Sequence, residues 1–159
     1  MFDFASADEV TAVLTANGFP ADQQSIADIQ YVLPTDAAIQ DFGKRYGKFL
    51  TDAGLNTWLA EIWDCDDFAL TAKSLADIDN ALWRKTTGNA DCAMGFGICW
   101  VVLKEGGHAI NFAIHRGADG NLFLKYYEPQ MQTDKDGKTF VWLQEKSRDY
   151  FVSPSWCYL

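Results

Sequence analysis

One cysteine of this sequence stands among acidic residues where a helix is predicted to begin. Cys65 follows Asp64 and precedes Asp66 and Asp67. Asp64 is a good N-cap, and the apolar residues after position 67 recur on one helical face. The unpaired amides of a first helical turn favour a thiolate, whereas three neighbouring carboxylates oppose it. An imidazolium beside the thiol, or a hard cation on the aspartates, would resolve that conflict. A small buried cysteine among capping aspartates is the structural alternative.

An imidazole and a carboxylate are predicted to meet on a β-hairpin further along the chain. The runs 108–115 and 121–128 are joined by Arg-Gly-Ala-Asp-Gly, which is typical of a hairpin turn. A turn centred on Ala118 sets apolar partners opposite each other and places His108 opposite Glu128. A His–Glu pair can be purely structural. Together with a cysteine at a helix start, it also makes the set of groups that a thiol nucleophile needs.

Helices in the first half and strands in the second half must position these groups. In chain order the pattern predicts helices over 6–18, 22–30 and from 35 onward, and strands over 96–103, 108–115, 121–128, 139–143 and 150–152. N-terminal helices followed by an antiparallel sheet give an α+β fold. The 159 residues fit one domain, with a helical N-terminal extension over 1–35 and the core over 36–159.

The composition argues against several kinds of partner and site. Thirteen basic residues against 22 acidic ones give a net charge of −9, which disfavours nucleic acid and membrane surfaces and suits divalent cations. Four cysteines and two histidines form no zinc framework, and no apolar run is long enough to span a membrane. Since the first residues lack a signal-peptide pattern, we expect a soluble protein of a reducing compartment, cytoplasmic by default.

Three short motifs together resemble a known family. Asp-Cys-Asp-Asp-Phe-Ala at 64–69, Gly-His-Ala-Ile-Asn at 107–111 and Glu-Pro-Gln at 128–130 are similar in order and spacing to the papain-like cysteine protease domain of the Marasmius oreades agglutinin. The resemblance spans roughly 58–130 and implies a papain-like fold. It also implies Cys65 as the nucleophile, His108 as the general base and acid, and Glu128 as the partner that orients the histidine.

The same resemblance implies a metal site, because that family depends on calcium or manganese. Its ligands would be Asp66 and Asp67, with Gln130 and Asp64 as further candidates. The glutamine that such enzymes place before the cysteine is missing here, so Trp58 or Asn56 is the candidate for binding the oxyanion. The agglutinin also carries a sugar-binding β-trefoil for which a chain of this length has no room, so lectin activity is not carried over.

The sequence therefore predicts a calcium-dependent, papain-like cysteine protease or amide hydrolase that acts on a protein or peptide through an acyl-enzyme. Two alternatives stay open. One is a catalytically silent metal-binding or interaction module on the same fold, and the other is an amidase or transamidase that uses the same three residues. Rapid alkylation of Cys65 relative to the other cysteines would separate an enzyme from the silent module.

Overall fold

The computed structural model describes residues 3–55, 59, 64–88, 92–133, 139–141 and 143–159, without the side chains of 131–133 and 139–141. Its helices are α1 (Ala7–Ala16), α2 (Asp36–Asp52) and α3 (Cys65–Thr87). Its strands are β1 (Asp3–Ser6), β2 (Gln24–Ser25), β3 (Gln30–Leu33), β4 (Ala93–Met94), β5 (Phe96–Leu103), β6 (Gly106–Arg116), β7 (Leu122–Glu128), β8 (Met131–Thr133), β9 (Thr139–Val141), β10 (Gln144–Lys146) and β11 (Ser153–Tyr158). Single 3₁₀ turns cover Ala21–Gln23 and Arg148–Tyr150.

The main sheet has six strands in the order β10-β7-β6-β5-β11-β2, and its pairings are antiparallel except for that of β11 with β2. A smaller sheet has the order β1-β3-β4, and β8 pairs with β9. The long helices α2 and α3 precede every strand of the main sheet except β2 in the chain. The predicted α+β class is confirmed.

The N-terminal part is less helical than predicted. Helix α1 begins as expected, at a capping box in which the Ser6 hydroxyl accepts from the Glu9 N–H while the Glu9 carboxylate accepts from the Ser6 N–H. The helix predicted over 22–30 is wrong, since a 3₁₀ turn and the strands β2 and β3 occupy that part of the chain. Strand pairing decides the outcome, because β3 lies between β1 and β4 and buries Tyr31 completely.

Two main groups of buried side chains make up the core. One joins the N-terminal part to the sheet, with Val10 and Leu14 of α1 packed in the same cluster as Ile110 and Phe112 of β6. The other joins α2 and α3 to the sheet, and its members include Phe42, Tyr46, Phe68, Phe96 and Tyr127. The N-terminal residues therefore share a core with the sheet that carries His108 and Glu128.

The hairpin of β6 and β7 has a register that differs from the predicted one by two residues. Ile114 pairs with Leu124 and Phe112 with Tyr126, because the strands are joined by a five-residue loop over 117–121. That loop is closed by a bond from the Gly117 N–H to the Asn121 carbonyl, and Gly120 adopts a left-handed conformation within it. A shift of two residues leaves every side chain on its predicted face, since the side-chain period of a strand is two.

The remaining strand predictions are partly right. The strand predicted over 96–103 is confirmed as β5, and β9 lies within the strand predicted over 139–143. The strand predicted over 150–152 is wrong, because those residues end a 3₁₀ turn and lead into β11. Among the described residues, no helix is long and apolar enough to cross a membrane.

Candidate functional site

Cys65 is the first residue of α3, and its neighbours hold the start of the helix. Asp64 is the N-cap residue, and its backbone N–H donates to Asp67 Oδ2 at 3.1 Å. Cys65 is half-buried, whereas Cys92, Cys99 and Cys157 are buried, and none of these four described cysteines is in a disulfide bond. Among the cysteines, therefore, only Cys65 combines a helix N-terminus with access to solvent.

The structure brings Cys65, His108 and Glu128 together. His108 lies close enough to Cys65 for the thiol to raise the pKa of the imidazole, and His108 Nε2 lies 2.6 Å from Glu128 Oε2. Continuing the observed register places Glu128 opposite Ile110, diagonal to His108, and a long side chain spans that diagonal. The predicted contact thus forms although the predicted register does not.

Glu128 is buried in the sheet and held at both of its oxygens. The Tyr150 hydroxyl donates to Oε2 at 2.9 Å, and the Gln130 backbone N–H donates to Oε1 at 3.1 Å. Burial raises the pKa of Glu128, but the hydrogen bond and the positive charge of His108, helped by these two donors, outweigh it and lower the pKa overall. Glu128 is therefore an anion at neutral pH. Tyr150 was not predicted as part of this site, because nothing in its spacing relates it to the hairpin.

His108 carries a proton over an unusually wide pH range. Burial lowers its pKa, but the hydrogen bonds to Cys65 and Glu128 act in the opposite direction and raise the pKa to about 9. The ring side chain is 12% exposed, so solvent screens these interactions only weakly. At neutral pH the site contains an imidazolium between a sulfur atom and a buried carboxylate.

Asn111 connects the helix that carries Cys65 to the sheet that carries His108. Its side-chain amide is buried and donates to the Ala69 carbonyl of α3 at 2.9 Å and to the Gly97 carbonyl of β5 at 3.1 Å. This residue stands in the motif at 107–111, but no role was predicted for it from the sequence.

Asp64 and Asp66 converge beside the thiol. One ligand atom from each of Asp64, Cys65 and Asp66 lies within 4.8 Å of the others. A hydrogen bond with Asp64, helped by burial, raises the pKa of Asp66, as expected for two crowded carboxylates. The buried Asp64 Oδ1 has no hydrogen-bond partner.

The other predicted site residues are placed differently. Asp67 accepts the hydrogen bond that starts α3, and Gln130 donates its backbone N–H to Glu128. Asn56 and Trp58, the candidates for binding an oxyanion, lie outside the described residues.

An aromatic group packs against the same buried cluster as Cys65. Trp100 packs against the small buried cluster that Cys65 also contacts. Its cross-strand partner is Trp156, with 4.8 Å between the ring centroids, and Trp156 stacks in turn on Tyr158. Both tryptophans are partly exposed, and Tyr158 is exposed. We call Trp100, Trp156 and Tyr158 the aromatic strip.

Ten solved chains share this fold, including the following two. One is described as a PSL1a–E64 complex, with a TM-score of 0.72 and 21% sequence identity over 98% of this chain and 51% of that chain. The other is Polyporus squamosus lectin bound to the human-type influenza-binding epitope Neu5Acα2-6Galβ1-4GlcNAc, with a TM-score of 0.67 and 22% identity over 98% of this chain and 49% of that chain. This chain thus spans about half the length of both. No protein-family model and no curated protein matches it.

These neighbours correct the family and the activity expected from the sequence. One of these two neighbours is described as a lectin bound to a glycan, and neither is described as a protease. The assignment to the papain-like, calcium-dependent proteases is therefore wrong, and so is the peptidase or amide hydrolase activity inferred from it. The expected protein or peptide substrate is likewise unsupported. Three short motifs constrain a helix start and a hairpin, and a fold built on such elements does not by itself determine a function.

Proposed function

We propose that this chain is a ligand-binding module in which Cys65 forms a covalent bond with an electrophilic ligand. In this proposal His108 is the proton partner of the sulfur, and Glu128 orients the imidazole. The observation that supports it best is that His108 is hydrogen-bonded to Glu128 and at the same time feels the Cys65 thiol, which raises the pKa of the imidazole. A thiolate is the nucleophilic form of cysteine, and a neighbouring imidazolium stabilises that form. The proposal is stoichiometric binding, without turnover.

E64 is a suitable ligand for this chemistry, since PSL1a is described in complex with it. E64 carries an epoxide, whose ring carbons are electrophilic. Cys65 Sγ would attack one carbon, the carbon–oxygen bond would break, and the released oxygen would take the proton held by His108. A thioether and a hydroxyl result, and His108 is left neutral beside Glu128.

A calcium or manganese ion belongs to the same proposal, with Asp64 and Asp66 as its ligands. Crowded carboxylates and an unpartnered buried oxygen on Asp64 fit a cation, which would offset the negative charge beside the thiol. Calcium takes six to eight oxygen ligands, so water and backbone carbonyls would complete the shell. Asp67 and Gln130 remain further candidates.

Mass spectrometry of the E64-treated protein tests the covalent site. We expect one equivalent of E64 on Cys65, none on Cys65→Ala, and at least tenfold slower uptake by His108→Ala. Cys92→Ala is the matched control and should react like the wild type, because Cys92 is buried. Equal uptake by the wild type and Cys65→Ala would contradict the proposal.

Calcium binding is tested separately by calorimetry. Wild type should bind CaCl₂ or MnCl₂ at one site, and Asp66→Asn should bind it at least tenfold more weakly. Asp8→Asn, an exposed change in the first turn of α1, controls for the loss of one negative charge. If the wild type bound the cation no more tightly than Asp66→Asn does, the cation would be excluded from the proposal.

A second candidate function is glycan binding, and the aromatic strip favours it. Polyporus squamosus lectin is described as bound to a sialylated trisaccharide. Partly exposed tryptophan rings offer flat apolar faces with a polar edge, which suits the C–H face of a sugar ring. Trp100 of the strip shares a buried cluster with Cys65, so a sugar on the strip would bind in the same part of the molecule.

Calorimetry with Neu5Acα2-6Galβ1-4GlcNAc tests this second candidate. We expect weak binding by the wild type and at least a tenfold loss in Trp156→Ala. The disaccharide Galβ1-4GlcNAc, without the sialic acid, shows whether the acidic sugar is recognised. Equal binding by the wild type and Trp156→Ala, or no binding by either, would exclude the aromatic strip as the glycan site.

A further inference from the structure

A buried tyrosine of α2 contacts two distant segments of the chain through its hydroxyl. Tyr46 is fully buried and belongs to the same apolar cluster as Phe68 of α3. Its hydroxyl lies 3.0 Å from the Phe68 carbonyl oxygen and 3.1 Å from the Pro129 carbonyl oxygen, in a geometry that suits donation to either one. A phenol has a single proton, so the two carbonyl oxygens share it.

The two segments that meet at this hydroxyl carry groups of the thiol site. Phe68 follows Cys65 by three residues, about one turn into α3. Pro129 is buried and directly follows Glu128. Because His108 is hydrogen-bonded to Glu128 and lies close to the thiol, the spacing of the two segments sets how near the imidazole is to the sulfur.

The surroundings of the Tyr46 hydroxyl keep it a donor. Burial raises the pKa of Tyr46, and the negative charge of Glu128 raises it further, so the phenol stays protonated at neutral pH. Carbonyl oxygens carry like partial charges, so the proton between these two offsets their repulsion. Apolar packing is not directional, whereas a hydrogen bond favours one orientation of its partners. The hydroxyl therefore stabilises the close approach of the two segments in one arrangement.

Asn111 holds the next carbonyl of the same helix. Its amide donates to the Ala69 carbonyl at 2.9 Å from the side of β6, whereas Tyr46 reaches the Phe68 carbonyl from α2. Buried polar side chains thus hold the start of α3 from two directions. One helical turn is about 5.4 Å along the axis, so both contacts lie near Cys65.

We propose that Tyr46 is a positioning residue of the thiol site. By sharing its proton between two carbonyl oxygens, it holds the start of α3 at the distance from Glu128 that lets His108 stabilise the thiolate. The inference rests on the proposed reactivity of Cys65 and adds a residue of α2 to that site. Tyr46 acts through the backbone of the two segments and not through contact with a ligand.

The pH dependence of Cys65 alkylation by iodoacetamide tests this role, with the label located by peptide mass spectrometry. A nearby imidazolium favours the thiolate, so the wild-type rate should rise with a midpoint below the usual thiol pKa of about 8.5. Tyr46→Phe removes the hydroxyl and keeps the ring. In this variant the midpoint should move upward by at least about 0.5 pH unit, because the imidazolium lies farther from the sulfur.

Two control variants separate positioning from general stability. Tyr127→Phe removes another hydroxyl from the same cluster, one that contacts His115. Ile39→Val removes a buried methylene from the same cluster and should lower the urea midpoint by an amount similar to that of Tyr46→Phe. Both controls should keep the wild-type pH midpoint of alkylation.

The outcomes distinguish this inference from the proposed function. A wild-type profile like that of an ordinary thiol would contradict the proposed reactivity of Cys65, and the role of Tyr46 with it. A low wild-type midpoint that is unchanged in Tyr46→Phe would overturn the role of Tyr46 alone. An equal shift in Tyr127→Phe or Ile39→Val would also overturn it, because lost packing would then explain the effect.

Discussion

Glu128 shows how a buried charge is tolerated at the level of single residues. Only 4% of the residue is exposed, and burial by itself raises the pKa of the carboxyl group. Three donors compensate: the His108 ring, the Tyr150 hydroxyl and the Gln130 backbone N–H. The carboxylate in turn keeps His108 charged, so the orientation and the protonation of the imidazole depend on the same contacts.

Tyr150 is expected to act on Cys65 through Glu128. Tyr150→Phe removes one donor to the carboxylate and should slow the alkylation of Cys65 by iodoacetamide about threefold to tenfold. It should also lower the free energy of unfolding by about 1.5–3 kcal/mol, the usual range for a hydrogen bond to a charged group. Tyr158→Phe is the matched control and should leave both quantities unchanged. Equal alkylation rates in the two variants would show that Tyr150 does not position the site.

The stability of the protein should depend on pH through His108. Its pKa is raised to about 9 in the folded protein, whereas an unfolded chain has a histidine pKa near 6.5. The stabilisation is therefore complete below about pH 6.5 and is lost as the pH rises through about 9. Urea unfolding should show a loss of up to about 3 kcal/mol between pH 6.5 and 9.5, at about 1.4 kcal/mol for each pKa unit. His108→Ala should lose much less over this interval, and parallel losses in both proteins would assign the effect to other groups.

At the scale of elements, the sequence predicts the parts of the fold that local rules determine. The capping box at Ser6, the start of α3 at Cys65 and strand β5 follow from residue types and spacing. The strand over Gln30–Leu33 does not, because the pairing of β3 between β1 and β4 overrides local preference. The contact between His108 and Glu128 was predictable because a register shift of two residues leaves each side chain on the same face of the sheet. The roles of Tyr150 and Asn111 were not, since their contacts to Glu128 and Ala69 reach outside the hairpin whose pairing the sequence predicts.

Strand β5 requires a glycine at position 97, where it pairs with β6. A Cβ at Gly97 would lie 2.5 Å from the Phe112 ring and 2.6 Å from the Tyr158 carbonyl oxygen. Gly97→Ala should therefore lower the free energy of unfolding by about 1–3 kcal/mol, as overpacking does elsewhere. Gly107→Ala is the matched control, because a Cβ there would meet nothing within 4 Å beyond its chain neighbours, and the change should be below about 0.5 kcal/mol. Similar unfolding midpoints in urea for the two variants would contradict this explanation.

At the scale of the whole molecule, the N-terminal residues are expected to be indispensable. Val10, Leu14, Phe19 and Tyr31 are each at most 1% exposed, and all four belong to the core cluster that includes Ile110. A chain that begins at residue 35 would expose that face of the sheet to water. We expect it to lack a cooperative urea transition and the near-ultraviolet circular dichroism of the full chain. A folded truncated chain would instead support the separate N-terminal extension predicted from the sequence.

Because three of the four thiols are buried, their reaction with a reagent should reveal local opening of the folded protein. Cys99 and Cys157 stand opposite each other on β5 and β11, and together with Cys92 they are at most 2% exposed. A chromogenic disulfide reagent added without denaturant should consume Cys65 first, and then gain access to the other thiols only when neighbouring segments separate. The later colour change would thus time the native-state fluctuations of this sheet, in a molecule that carries no added label.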